Sequence, residues 1–299
     1  MRVHYLTPYY FIWPGFLLAV VTVLVPNILT LFFAFTNYSL YHFEDYNFIG
    51  FANFMQIFIG IEAKTLLSVL VWTIFWSIGS VILSLSLGLA LALTLHKHLR
   101  SSGGLLKTLL ILPWALPNFI TILVWHGLLN TNFGFINYIL GFIGVTPIPW
   151  LENAVWAKAA VLLVNLWLGF PFMMSVCLGA LKSIPEEIYE AAIVDGASSW
   201  EKFKFITLPL LQYTLLPVLI SSFAFQFNQF NVIYLLTEGG PPLLGSSAGA
   251  TDILVTYAYK LAFDQFRFGL SCAYGVLIFL VVSLLSVGNF IVAGGIKDA

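Results

Sequence analysis

The chain has 299 residues, of which 60% are hydrophobic and 8% are charged, and its formal net charge at pH 7 is -1. This composition leaves too little polar surface to cover a water-soluble globule of that length, so a soluble protein is excluded. An integral membrane protein is therefore predicted, and its elements can be taken in chain order.

Six apolar stretches are long enough to cross about 30 Å of hydrocarbon as helices. They are continuously apolar, whereas the strands of a membrane barrel alternate apolar and polar residues over about ten positions. No small-residue cleavage site ends a short apolar core at the start, so we expect a retained first helix and not a signal peptide. The predicted spans are Tyr10–Phe35, Leu66–Leu95, Leu105–Leu129, Val155–Leu181, Leu210–Leu235 and Phe268–Ala293.

The distribution of lysine and arginine predicts the orientation, since basic residues are retained on the cytoplasmic side. We expect both termini in the cytoplasm and a single membrane domain over residues 1–299. The loop between the fourth and fifth spans is then cytoplasmic. This orientation places Arg2, Lys97, Arg100, Lys107, Lys182, Lys202, Lys204 and Lys297 inside, and Lys64, Lys158, Lys260 and Arg267 outside.

A stripe of small residues marks the second span. Ser80, Ser84, Gly88 and Ala92 recur every four positions. Small residues at this spacing let a second helix approach closely, so the stripe is interpreted as a packing surface without chemistry.

Reactive and ligating side chains form no recognisable site. His96 and His98 point to different faces of a helix, so no metal site is expected. Cys177 and Cys272 both fall within predicted spans, where each is interpreted as a packing residue. No glycine-rich segment is followed by the Lys-Ser/Thr pair of a phosphate-binding loop, so no bound nucleotide or other cofactor is expected in this chain.

The fourth span contains Gly169 and Pro171 beside Asn165, which predicts a loosened helix at mid-span. Trp167, Phe170 and Phe172 flank this point. Aromatic rings of this kind accommodate the C–H faces of a sugar.

Amides and hydroxyls concentrate on the fifth span. Ser222, Gln226 and Gln229 are spaced by four and three and are predicted to share one helix face, while Asn228 and Asn231 form a second pair. Hydrogen bonding between helices is the alternative explanation for such groups. The spans hold hardly a formal charge, whereas secondary carriers keep ionisable groups near the membrane centre. The pattern indicates a path for a neutral polyol.

The loop after the fourth span carries eight of the 25 charged residues within positions 182–204. Its apolar side chains, Ile188, Ala191, Ala192, Trp200, Phe203 and Phe205, exceed what a free loop should expose, so a partner protein is expected to cover them. A solvated connector is the alternative. The helix signals are a capping box of Ser183 with Glu186, a turn at Gly196, a second box of Ser198 with Glu201, and Pro209 in the first turn of the fifth span.

The same loop resembles a known signature. Glu190-Ala191-Ala192, then three residues, Gly196, nine residues and Ile206-Thr207-Leu208-Pro209 is similar to the EAA motif of membrane subunits of bacterial ABC importers. The resemblance implies a type I permease fold, all-α with six transmembrane helices, and a cytoplasmic coupling-helix elbow between helices 4 and 5, at about 182–208. The residues implied to couple to the ATPase are Glu190, Ala191, Ala192, Asp195, Gly196, Ile206, Leu208 and Pro209.

From about Leu66 onward, stretches such as LKTLLILPWALPNFITILVWHGLLN and ISSFAFQFNQFNVIYLLTEGGP resemble MalF-type maltose and maltodextrin permeases. Phe172 stands where that family has tyrosine, and Gln226 and Gln229 stand where it has asparagine. A sugar other than maltose, or a glycerol-phosphate-type solute, is therefore an alternative. The sugar-binding residues implied by position are Asn165, Leu168, Gly169, Phe172, Ser222, Gln226 and Gln229.

The resemblance also implies the surroundings of the chain. These are a second homologous permease, two ATP-binding subunits that use ATP and Mg²⁺, an extracytoplasmic sugar-binding protein, the sugar, and lipid of the bacterial cytoplasmic membrane, without nucleic acid. The chain would be a transport subunit and not an enzyme. Two other hypotheses are a self-powered secondary carrier and a lipid-acting membrane enzyme, for which His42, Glu44, Asp45 and His126 make no constellation.

Overall fold

The computed structural model describes residues 7–98 and 103–297, and within these ranges the chain is helical apart from turns and isolated β-bridges. Arg2 and Arg100, which the orientation count uses, lie outside them. The predicted all-α class is confirmed. The helices are α1 Thr7–Ala19, α2 Val25–Phe33, α3 Ala52–Phe58, α4 Ala63–His98, α5 Gly103–Ala115, α6 Asn118–Leu128, α7 Phe135–Phe142, α8 Ala154–Lys182, α9 Glu186–Val194, α10 Ser199–Lys202, α11 Leu208–Phe227, α12 Phe230–Thr237, α13 Leu254–Phe263 and α14 Phe268–Lys297.

Residues 7–66 and 257–280 belong to one compact unit. Its first span joins α1 to α2 through the π-helical turn Val20–Leu24, in which the Val25 N–H bonds the Val20 carbonyl. Pro26 follows at once and has no N–H to donate, and its ring would crowd the carbonyl four residues earlier. A wider turn before the proline relieves this conflict without ending the span.

A buried ion pair lies in the same unit. Glu62 is 4% exposed, and its two carboxylate oxygens accept hydrogen bonds from the Arg267 guanidinium at 2.8 Å and the Tyr257 hydroxyl at 2.6 Å. The sequence interpretation placed Arg267 only as an outer basic residue. Since a buried carboxylate needs a partner, this pair ties the start of α4 to α13 and α14.

Residues 67–256 and 281–297 belong to a second compact unit. Two buried apolar clusters hold it together. In the first, Trp76 and Ile122 pack against Val164 and Ile233, which joins α4, α6, α8 and α12. In the second, α4, α8 and α11 meet around Met174, and its buried members are Ala92, Leu95, Met174, Cys177, Leu178, Ala180, Leu181, Leu211 and Leu215.

Five helical stretches of the described chain are long and apolar enough to cross a bilayer, and α5 with α6 makes a sixth if this bent pair is one span. The pair is bent by 88° at Leu116 and Pro117. A residue before proline is disfavoured in helical geometry, and Pro117 itself is extended in ψ at 121°. The helical pair thus matches the predicted third span in extent, but it is broken in the middle.

The predicted bounds of the fifth span, Leu210–Leu235, are wrong at both ends. One helical stretch runs over Ser199–Phe227, through the π-helical turn Phe203–Thr207 that precedes Pro209. It ends where Asn228 leaves the helical region, and α12 starts two residues later. The prediction extended past this break because apolar residues follow it directly, so the hydropathy of the sequence stays high.

The fourth span, where Gly169 and Pro171 predict a loosened backbone, is one continuous helix. Helix α8 runs from Ala154 to Lys182 with Gly169 and Pro171 inside it. Pro171 costs one backbone hydrogen bond, but much of α8 is buried among α4, α5, α11 and α12, and this packing keeps the helix intact.

Candidate functional site

A cavity of about 610 Å³ lies among α4, α5, α6, α8 and α11. All seven residues that the resemblance implies for the sugar line it: Asn165, Leu168, Gly169, Phe172, Ser222, Gln226 and Gln229. Its lining, drawn from the described residues, contains no Asp, Glu, Lys, Arg or His side chain. The cavity therefore offers hydrogen bonds and apolar surface but no charge.

Helix α8 supplies one wall because four of its cavity residues recur at helical spacing. Leu168, Gly169 and Phe172 lie three, four and seven positions after Asn165, and these spacings place all four on one face of the helix. Asn165 is 2% exposed, and its amide nitrogen has no hydrogen-bond partner in the described chain. The Phe172 ring lies 6.4 Å from that of Trp114. The wall thus combines a free donor with an aromatic surface.

Helix α11 supplies the opposite side. Ser222 and Gln226 lie one turn apart, and Gln229 reaches the cavity from the turn beyond the helix end, not from the same helix face as predicted. The Trp76 indole donates to the backbone carbonyl of Gln226 at 3.0 Å, which anchors the last turn. Asn228, the other amide at the break, is exposed and does not line the cavity.

The sequence interpretation missed a third wall. Ser80 and Ser84 of the α4 stripe line the cavity. The packing interpretation is correct at Gly88 of the same stripe. A Cβ added there would lie 2.7 Å from the Cβ of Met173, so α4 and α8 are in close contact at this point. The sequence did contain a signal for this wall. Two positions of the stripe carry hydroxyl groups, although alanine or glycine would pack there equally well.

The broken third span contributes two further residues, Trp114 and Asn118, one on each side of the bend. The sequence offered Pro113 and Pro117 as a signal for irregular backbone there. Because the bend turns the chain by 88°, the ends of α5 and α6 both reach the cavity.

The coupling elbow, residues 182–208, is a second candidate site. Its predicted second capping box is confirmed: the Glu201 N–H donates to the Ser198 hydroxyl at 3.3 Å, and the Ser198 N–H donates to the Glu201 carboxylate at 2.8 Å. Gly196 takes the predicted left-handed conformation with φ of +80°. The first box is wrong, since Pro185 occupies the N-cap of α9 and the Ser183 hydroxyl donates back to Ala180.

A side-chain hydrogen bond joins α9 to the base of α11. The hydroxyls of Tyr189 and Thr207 are 2.9 Å apart, and Thr207 is buried. Thr207 ends the π-helical turn at the base of α11, so α9 is attached to the helix whose other end reaches the cavity. A continuous helical stretch from Ser199 to Phe227 therefore connects the two candidate sites.

The elbow exposes much of its apolar surface. Trp200 is 67% exposed, Phe205 66% and Val194 87%, the last of which the sequence interpretation missed. Of the predicted coupling residues, Glu190, Ala191, Asp195, Gly196 and Leu208 are exposed, whereas Ala192, Ile206 and Pro209 are half-buried. An apolar surface of this extent beside charged residues is typical of a protein interface.

Comparison with known proteins gives similar chains and a similar fold. The galactooligosaccharides transport system permease protein GanP of Bacillus subtilis is 40% identical over 288 residues, covering 95% of this chain and 69% of the relative. The maltose/maltodextrin transport system permease protein MalF of Vibrio vulnificus is 45% identical over 249 residues, covering 81% of this chain and 47% of the relative. The chain thus spans about half the length of MalF.

A crystal structure of a bacterial ABC transporter that imports the acidic polysaccharide alginate contains a chain with the same fold, at a TM-score of 0.78 and 22% identity over 97% of this chain and 94% of that one. The family model of the binding-protein-dependent transport system inner membrane component matches residues 84–296. That match contains most of the cavity lining and the whole elbow. The chain belongs to the family of inner-membrane components of binding-protein-dependent transport systems.

Proposed function

We propose that this chain lines the translocation path of an ATP-driven importer for a neutral carbohydrate. The observation that supports this most is the cavity of about 610 Å³. All seven positions of the sugar-permease pattern line it together, and its described lining has no charged side chain. This volume lies within the range of about 300–1,000 Å³ that is usual for small-molecule sites.

The proposed substrate is an oligosaccharide of the maltose or maltodextrin type. The similar chains are named for maltodextrins and for galactooligosaccharides, which differ in the orientation of hydroxyl groups and share the need for mixed donors and acceptors. Another neutral sugar is the second candidate. A glycerol-phosphate-type solute is less well matched, because its phosphate would meet no basic side chain in the lining.

Membership in the family makes the chain a transport component and not an enzyme. The energy source is proposed to be a pair of ATP-binding subunits, one of which docks on the exposed elbow and uses ATP with Mg²⁺. We further propose a second homologous permease beside this chain, a binding protein on the outer side that delivers the sugar, and cytoplasmic termini.

The elbow and the helical stretch Ser199–Phe227 suggest how force reaches the cavity. Movement of a docked ATPase would displace α9 and, through Tyr189 and Thr207, the base of α11. The far end of that stretch carries Gln226, so the same displacement changes the α11 wall. Each nucleotide state would thus favour a cavity open to one side of the membrane.

The decisive experiment is reconstitution in lipid vesicles of this chain with its sister permease, ATPase and binding protein. We expect maltose or maltotriose, with the binding protein, to stimulate ATP hydrolysis and to accumulate in the vesicles only with ATP. Uptake by the isolated chain without nucleotide would contradict the proposal, as would a complex that hydrolyses ATP with no response to any neutral sugar.

A further inference from the structure

Two hydroxyl groups of α4 are buried against the cavity without a partner. Ser80 is 1% exposed and Ser84 is 4% exposed, both line the cavity, and neither Oγ has a hydrogen-bond partner in the described part of the chain. A buried hydroxyl left in this condition costs about 1–3 kcal/mol, so a polar molecule that enters the cavity is stabilised by hydrogen bonds to both.

The neighbouring hydroxyls of the same helix behave differently. Thr73 donates to the Val69 carbonyl at 2.7 Å, and Ser77 donates to the Thr73 carbonyl at 2.7 Å. This bond to the preceding turn is the ordinary solution for serine and threonine within a helix. Ser80 and Ser84 have the same option and do not take it, so their hydroxyls remain available to the cavity.

Glycine on the facing helix keeps one of these hydroxyls accessible. A Cβ at Gly169 would lie 2.8 Å from the Oγ of Ser84, which is closer than a carbon can approach without a shift. Any other residue at 169 would therefore cover or displace the Ser84 hydroxyl. This gives Gly169 a physical role in the cavity that the resemblance alone did not supply.

Two further side chains of the lining have a buried polar atom without a hydrogen-bond partner in the described chain. The Asn165 amide nitrogen is a donor and the Gln226 amide oxygen is an acceptor, and both are buried without a partner in the described chain. Two hydroxyls that donate and accept, one donor and one acceptor match a polyol, since each sugar hydroxyl can also do both. A purely apolar solute would leave all four groups unsatisfied.

We propose that Ser80 and Ser84 form a hydroxyl-binding wall that hydrogen-bonds two hydroxyl groups of one ring of the transported sugar and so contributes to the choice of sugar. The two residues lie one helical turn apart, with about 5–6 Å between their Cβ atoms, so both can reach the same ring. This inference rests on the proposed function, because it assumes that the cavity binds a carbohydrate.

The test uses the full reconstituted complex with Ser80→Ala and Ser84→Ala, and with maltotriose and a galactose-containing trisaccharide as probes. Each substitution is expected to raise the sugar concentration for half-maximal uptake about threefold to tenfold, the loss of one hydrogen bond. Ser77→Ala, buried but bonded to its own helix, and Ser86→Ala, exposed on the same helix, are matched controls and should match wild type. Copurification with the partner subunits checks assembly in every variant.

Deoxy analogues of the transported sugar separate recognition from packing. An analogue that lacks the hydroxyl bound by Ser84 should be transported equally well by wild type and by Ser84→Ala. Gly169→Ala should resemble Ser84→Ala with the parent sugar. Serine variants equal to the controls, or a defect that persists with every deoxy analogue, would overturn the inference alone. A wild-type complex that accumulates no carbohydrate would overturn the proposed function as well.

Discussion

The Tyr189 hydroxyl of α9 lies 2.9 Å from the Thr207 hydroxyl at the end of the π-helical turn, and it joins the two helical parts of the elbow. Thr207 also donates to the Lys202 carbonyl at 3.3 Å, so the bond connects α9 to the backbone of the turn that leads into α11. In the proposed path from a docked ATPase to the cavity, this small contact carries the connection between the two halves of the described elbow.

Tyr189→Phe should weaken coupling without preventing assembly. The substitution removes one hydroxyl–hydroxyl bond, worth about 0.5–1.5 kcal/mol, and keeps the ring. We expect ATP hydrolysis to continue while sugar transported per ATP falls severalfold, which paired uptake and phosphate-release assays measure. Tyr213→Phe, at an exposed tyrosine of α11, is the control. An unchanged ratio in Tyr189→Phe would remove this bond from the mechanism.

Gly196→Val should disrupt the elbow. Gly196 has φ of +80°, a conformation that a β-branched residue adopts only with strain of about 1–2 kcal/mol or more. We expect the variant to reach the membrane but to retain less ATPase in a pull-down. Gly179→Ala, on the helix α8 where nothing lies within 4 Å of an added Cβ, should behave as wild type. Equal ATPase recovery in both variants would contradict the docking role of the elbow.

Glu190→Lys tests the docking surface by charge. Glu190 is exposed on α9 beside Glu186 and Glu187, so reversal makes the local surface much less negative. We expect lower ATPase recovery that is partly restored by a basic-to-acidic change on the partner. Glu44→Lys, at an exposed carboxylate outside the elbow, gives the comparison for a charge reversal elsewhere.

Gln229→Leu should reduce uptake at least tenfold while pull-down of the partner subunits stays normal, because it removes an amide from the cavity and preserves size. Asn231→Leu is matched in chemistry, since Asn231 is exposed on α12 and does not line the cavity. Equal loss of uptake in the two variants would show that the Gln229 amide does not contact the sugar. The common defect would then come from disturbance of the break between α11 and α12.

Arg267→Ala should be strongly destabilising. It leaves the buried Glu62 carboxylate without its cation, which typically costs about 3–5 kcal/mol. We expect a marked fall in the thermal unfolding midpoint in detergent, and partial recovery in the double variant with Glu62→Gln. Lys64→Ala, which removes an exposed cation nearby, should leave the midpoint unchanged. A midpoint equal to wild type in Arg267→Ala would show that the pair adds nothing.

Local features were predictable because short-range chemistry decides them. The helical class follows from long apolar runs, the turn at Gly196 from its freedom at positive φ, and the capping box from Ser198 and Glu201 three residues apart. The four predicted cavity residues of α8 share a face because the helix has 3.6 residues per turn. In each case the deciding atoms lie within a few positions of one another in the chain.

Tertiary structure alone decided the rest. Helix α8 stays intact at Pro171 because its neighbours pack around it, whereas the third span bends at Pro117, although both stretches are apolar enough for a membrane span. Ser84 faces a cavity because Gly169 of another helix leaves room for its hydroxyl. Glu62 finds Arg267 across 205 residues of chain. Such outcomes depend on which surfaces meet, and a linear pattern records residue types but not the neighbours that complete them.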